Sequence, residues 1–110
     1  MKHLLFAVFE NGECTKKVIN ALSRSGINGT AIASTSLKHI LHSIQEDSQD
    51  FITLRHLEQA AFEDNTTFYS VLEEKEIRLA QEIIRDVTDH FKKNKGGMFV
   101  LPLEDYEGSF

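Results

Sequence analysis

The sequence predicts an α+β fold in which two helices cover one face of a four-stranded antiparallel sheet. Three observations carry that expectation. Short apolar runs of strand length alternate with two long amphipathic patterns in the order strand, helix, strand, strand, helix, strand. Each amphipathic pattern closes on glycine, at Gly26 and at Gly96-Gly97. A stretch of about thirty residues, 36–65, differs in texture from its surroundings and separates the two middle strands.

The elements follow in order. Leu4 to Phe9 is apolar without a break, too short for a typical helix and bounded by Asn11-Gly12, so it reads as the first strand. From Glu13 to Ser25, Val18, Ile19, Ala21 and Leu22 recur at helical spacing; Asn11 or Thr15 is expected to cap this helix, and Gly26 suits the left-handed stop. Ile27 to Thr35, rich in β-branched and small residues, predicts the second strand. In the insert, Leu37, Ile40, Leu41 and Ile44 follow helical spacing, and Leu54, Leu57, Ala60 and Ala61 form a second short pattern, so two short helices are expected there. Thr66 to Leu72 is the third strand. Glu73 to about Lys93 predicts the longest helix, with Ile77, Ala80, Ile84, Val87 and Phe91 on one face. Glu73, Glu74 and Glu76 at its start and Lys92, Lys93 and Lys95 at its end would complement the helix dipole, and Glu74 is spaced to pair with Arg78. Gly96-Gly97 would stop it, and Met98 to Leu103 reads as the fourth strand, with Pro102 near its end where a missing N–H is tolerated. This order is that of the ferredoxin-like βαββαβ sandwich.

The chain has 110 residues, enough for one compact domain spanning 1–110 with the insert inside it. Hydrophobic residues make up 41% and charged residues 26%, the mixture of a globular protein. A formal net charge of −5 argues against nucleic acid as a partner, because binding a phosphate backbone depends on Lys and Arg displacing counterions. No apolar run approaches the roughly 20 residues that cross a bilayer, and the opening segment turns polar before any small-residue cleavage site, so no membrane insertion and a cytoplasmic location are expected. The single Cys14 cannot close an intrachain disulfide and reads as a small side chain near a helix start.

One helix layer cannot hide what this sheet exposes. A sheet with one wet face alternates apolar and polar residues. Here Leu4, Phe6 and Val8 point one way and Leu5, Ala7 and Phe9 the other. The last strand repeats the pattern, with Met98, Val100 and Pro102 on one side and Phe99, Leu101 and Leu103 on the other. Leaving about six large side chains in water forfeits roughly 1.5 to 3 kcal/mol each, a sum comparable with the stability of a small domain. Two covers are open: the insert folding back, or the same face of neighbouring copies in a closed ring.

Several segments resemble the PII-like signalling proteins, a group that includes the nitrogen regulatory protein PII. They are Gly26 to Thr35 (GINGTAIAST), Phe51 to Leu57 (FITLRHL), Asn65 to Glu76 (NTTFYSVLEEKE) and Gly96 to Gly108 (GGMFVLPLEDYEG), whose Phe-Val-Leu-Pro run is similar to the strand after the B-loop of PII. The likeness covers nearly the whole chain and contains no catalytic signature. It implies a homotrimer with effector clefts between subunits, each lined by the base of a long T-loop, here the insert, and by the B-loop of a neighbour. Carried over by position, the effector-binding residues would be Thr35, Ser36, Leu37 and Lys38 at the insert's base, Val71 in the third strand, and Gly96, Gly97 and Met98 in the B-loop. Arg55 and His56 would contact a protein target, with Phe51 and Phe62 either beside them or packed onto the body of the domain. No resident cofactor is implied; the ligand would be a nucleotide or another anionic small effector.

The chain also departs from the PII pattern. The insert base reads TSLKH, without the glycine that lets backbone approach a nucleotide. The B-loop Lys and the two Arg that hold phosphates in PII are replaced by KGGM and LEDYEGSF, and Glu104, Asp105 and Glu107 would repel a triphosphate. His39 and His42 stand three apart, a spacing that can share a metal with His56 as a third ligand, though His in a polar insert are ordinarily surface residues. No nucleophile with a placed base, phosphate-binding glycine loop or nucleophile elbow is present, so no enzymatic activity is expected. The expected function is a trimeric PII-like regulator that senses a small effector and relays it through the insert. The alternatives are a trimeric scaffold without effector binding and a metal-binding trimer of similar fold.

Overall fold

The computed structural model describes residues 1–37, 41 and 64–110. Its elements are β1 (Lys2–Glu10), α1 (Glu13–Arg24), β2 (Thr30–Ser34), β3 (Asn65–Glu73), α2 (Glu74–Thr88) and β4 (Gly96–Pro102). The strands form one sheet in the order β2-β3-β1-β4, and every neighbouring pair is antiparallel. This is the ferredoxin-like arrangement, with the long insert between β2 and β3. The two short helices expected in the insert fall largely outside the described residues; Leu37 and Leu41 are helical.

The register sorts the side chains. Leu5, Ala7 and Phe9 of β1 and Phe68 and Leu72 of β3 are buried under the helices, where they meet Val18 and Leu22 of α1 and Ile77, Ala80 and Ile84 of α2. Met98 and Val100 of β4 pack against the same core. Each fully buried Leu, Ile or Phe contributes about 1.5–3 kcal/mol, so this layer is the source of the fold's stability.

The helix ends differ from expectation in two informative ways. Helix α1 begins after Gly12 with no side-chain cap. Thr15, expected as a cap, is instead buried and donates its hydroxyl to the Glu10 carbonyl at 2.6 Å, while Asn11 Oδ1 accepts from Thr66 Oγ1 at 2.6 Å. The other end of α1 follows expectation: Gly26 takes φ 79°, its N–H meets Ser23 O, and Ile27 N donates to Leu22 O at 3.0 Å. That is the Schellman closure, and it leaves Ile27 in the core before β2 begins at Thr30, later than the expected Ile27.

Helix α2 stops at Thr88, not at Lys93. Asp89, His90 and Phe91 all adopt left-handed backbone, with φ of 52°, 56° and 62°. Thr88 explains where the helix breaks. It is fully buried, its Oγ1 donates to Ile84 O at 2.6 Å and accepts from Phe91 N at 3.0 Å, and Lys93 N closes back on Thr88 O at 3.0 Å. A hydroxyl that bonds nearby backbone competes with the helical ladder in this way. Phe91 thus reaches the core from the turn, stacking on Phe9 with ring centroids 5.9 Å apart. Lys92, Lys93 and Lys95 lie beyond the helix, and Arg85 is the basic residue of its last turn. The Glu74–Arg78 pair forms at 3.3 Å.

The other face of the sheet carries Leu4, Phe6 and Val8 of β1, Thr67, Tyr69 and Val71 of β3, Ile32 of β2, and Phe99 and Leu101 of β4. Phe6 and Phe99 stack across the strands at 4.9 Å. Ile32, Phe99 and Leu101 remain about half exposed, at 49%, 50% and 49%. Both faces are therefore apolar, as the unbroken runs predicted. Among the described residues no helix is long and apolar enough to cross a membrane.

Candidate functional site

The predicted cleft residues fall into two groups at one end of the sheet. Thr35, Ser36 and Leu37 continue from β2, whose last residue, Ser34, pairs with Asn65. Gly96, Gly97 and Met98 open β4, where Gly96 pairs with Phe9 and Gly97 with Val8. Glu10 pairs with Asn65, so the two groups share that end. They stand on opposite edges, however, with β3 and β1 between them. Three strand spacings put them about 14 Å apart, and one chain does not bring them together. Val71 pairs with Leu4 toward the other end of the open face and joins neither group. Lys38, Arg55 and His56, with His39, His42, Phe51 and Phe62, lie outside the described residues.

The β2 side is organised by Asp64. Its carboxylate accepts the Thr35 hydroxyl at 3.0 Å and the Ser36 N–H at 2.6 Å, and its carbonyl accepts Asn11 N–H at 2.9 Å. Ser34 and Thr67 hydroxyls bond at 2.8 Å beside it. One acid therefore ties the point where the chain leaves the sheet to the point where it returns. A charged acceptor on backbone and hydroxyl donors makes the stronger kind of hydrogen bond.

The β4 side is held by Asn94. This buried amide donates from Nδ2 to Glu10 O at 3.0 Å and to Thr15 Oγ1 at 3.3 Å, and its Oδ1 accepts Glu10 N–H at 3.1 Å. Lys95 O accepts the same Glu10 N–H at 2.9 Å. The loop before β4 is thereby locked to the β1–α1 turn. The two glycines that follow are not equivalent. At Gly96, with φ 148°, an added Cβ would stand 1.9 Å from Val8 O, so backbone approaches backbone too closely for any side chain. At Gly97 a Cβ would meet nothing within 4 Å. The intrachain fold needs the first glycine and leaves open space at the second. Gly97 also lines a cavity of about 300 Å³ together with Arg85, His90, Phe91 and Met98.

At the opposite end of the sheet, desolvation raises the Glu73 carboxyl, but the N-terminal ammonium and the Lys2 amine, each 3.5 Å away, outweigh it and hold the group below its ordinary value. Among the described residues no cluster of His, Cys, Asp or Glu could hold a metal ion.

The architecture has a counterpart. A functionally unknown protein from Pediococcus pentosaceus has a solved structure that matches with a TM-score of 0.61 at 15% identity, covering 97% of this chain and 96% of that one. The two share a fold. No protein-family model and no curated protein matches the chain. At that identity the likeness speaks for architecture alone and assigns no activity.

Asp64 and Asn94 were missed in the sequence. Asp64 immediately precedes a strand and Asn94 sits in a Lys-rich turn, where polar residues are ordinary. The one available signal was Asn94 itself, an uncharged residue inside Lys92-Lys93-Asn94-Lys95.

Proposed function

We propose that three copies of the chain close into a ring through the apolar open faces, and that the ring is a regulator of the PII-like kind. A small effector would sit between the Thr35–Leu37 segment of one subunit and the Gly96–Met98 segment of the next, and the insert would relay occupancy to a protein target. The observation that carries this reading is the open face itself: Leu4, Phe6, Val8, Tyr69, Val71, Ile32, Phe99 and Leu101 form one apolar surface on a chain whose other sheet face is already filled. A contiguous apolar face of that kind marks an interface in a protein that stays in solution. The placement of the two candidate groups on opposite sheet edges favours the same assembly, because only a neighbouring subunit can complete a cleft from both. The reading is non-catalytic, with loop order linked to effector affinity in the usual reciprocal way.

A second reading is favoured by a specific observation. Glu104, Asp105 and Glu107 stand in the segment after β4 where PII carries the two Arg that hold phosphates, so the sequence offers negative charge in place of the positive charge an anionic effector would need. A ring that keeps its assembly and has no effector, a scaffold, fits that charge. Light scattering at micromolar concentration should return three times the 12.5 kDa of one chain, and a monomer would overturn both readings. A thermal-shift panel of nucleotides, cyclic dinucleotides, bicarbonate, 2-oxoglutarate and divalent metals then separates them. A true ligand at 100 times its Kd stabilises by about 2.7 kcal/mol, a readable shift, and silence on an intact trimer selects the scaffold.

A further inference from the structure

We propose that the acidic, aromatic segment after β4 of one copy docks in the Arg85–Gly97 cavity of a second copy. The inference rests on the oligomeric reading above. Residues 104–110 are all exposed, and among the described residues none forms a hydrogen bond with them. The last tie of this segment to its own subunit is Leu103 N to Lys2 O at 3.0 Å. Beyond it, Tyr106 and Phe110 are held 47% and 56% exposed among Glu104, Asp105 and Glu107. Aromatic side chains strung between carboxylates have the chemistry of a docking peptide, with apolar rings to fill a pocket and acids to meet cations around it.

The cavity has the complementary chemistry. Phe91, Met98 and the bare Gly97 give it an apolar floor, and Arg85 and His90 line it. Lys92, Lys93 and Lys95 follow along the same turn; Asp86 and Asp89 are the acids among them. Four Lys and Arg against two Asp leave that segment positive, opposite in sign to the three acids of the docking segment. The left-handed run Asp89-His90-Phe91 holds the cavity's rim in costly backbone, a kind of strain that gathers at ligand clamps.

The occupant is a second copy because of where each piece lies. The cavity sits at the start of β4 and the docking segment leaves from its end, six residues on, or about 20 Å of extended chain. None of residues 104–110 lines the cavity of its own subunit, so the matching segment is taken from a neighbour.

The test uses full-length chains in a Cys14→Ser background. One carries Tyr106→Cys and the other Lys92→Cys, at the cavity rim; they are mixed, co-refolded and oxidised. The expected product is the disulfide joining the two different chains, and charge reversal by Lys93→Glu and Lys95→Glu on the rim chain should lower its yield at least fivefold. Both lysines are exposed, so the fold is unaffected, which circular dichroism checks. Absence of the mixed disulfide in a preparation that light scattering shows to be oligomeric overturns the docking and leaves the assembly standing. A doubly substituted chain that closes only on itself also overturns it. A monomeric preparation overturns both.

Discussion

Gly96 and Gly97 stand side by side and should answer substitution in opposite ways. Alanine at Gly96 places Cβ 1.9 Å from Val8 O at a backbone angle that L residues rarely adopt, so β4 must detach from β1 to admit it. Gly96→Ala should cost about 3 kcal/mol or more in urea unfolding, whereas Gly97→Ala should stay within about 0.5 kcal/mol. Asn94 poses a related contrast, because its amide serves both strands of the turn at once. Asn94→Ala leaves the Glu10 carbonyl with Thr15 as its remaining side-chain donor and should cost about 2–3 kcal/mol in the same assay. Glu73 gives the pH-dependent case. Its carboxyl titrates below its ordinary value when folded, so its contribution is present above the unfolded value near 4.5 and is lost as pH falls through the folded one. The melting temperature of Glu73→Gln should therefore trail the parent at neutral pH and converge with it in acid.

At the scale of elements, periodicity located both helices and all four strands, and it failed where a single hydroxyl or amide decides an end. The pattern Ile77, Ala80, Ile84, Val87 placed the buried face of α2 correctly, because 3.6-residue spacing and burial against β1 and β3 are the same constraint. Phe91 fits that spacing too, and on sequence alone it extends the helix. Thr88, back-bonded to Ile84 and holding Phe91 N, ends it first, and the core contact of Phe91 is made from a turn. Nothing in the local composition distinguishes a helical Phe from one that reaches the same ring by another route. The candidate site was legible in part for the same reason. Position in the chain put Thr35–Leu37 and Gly96–Met98 at one end of the sheet, but Asp64 and Asn94, which fasten those segments, act through contacts between residues far apart in sequence. Thr88→Val should test the turn: the isosteric methyl cannot bond Ile84 O or Phe91 N, the buried turn loses its closure, and stability should fall by about 1–3 kcal/mol with the Phe9–Phe91 stack loosened.

For the whole molecule the governing fact is a sheet with apolar side chains on both faces and, among the described residues, helices on one. Phe6 and Phe99, stacked where the edge strand β4 meets β1 on the open face, are the point at which to break it. A carboxylate there would be buried without a partner in any face-to-face assembly, a cost of several kcal/mol per subunit repeated around a ring, yet in a lone chain Phe99 is already half in water and an acid in its place would remain solvated. Phe99→Asp should therefore reduce the scattering mass to the 12.5 kDa of one chain while cooperative unfolding persists. Leu79→Asp supplies the control, since Leu79 is 40% exposed on α2, on the helix side of the sheet, and its charge should leave the mass of the assembly unchanged. If Phe99→Asp kept the parent's mass, the open face would not be the seam, and the cleft between Thr35–Leu37 and Gly96–Met98 would lose the geometry that brings its two halves together.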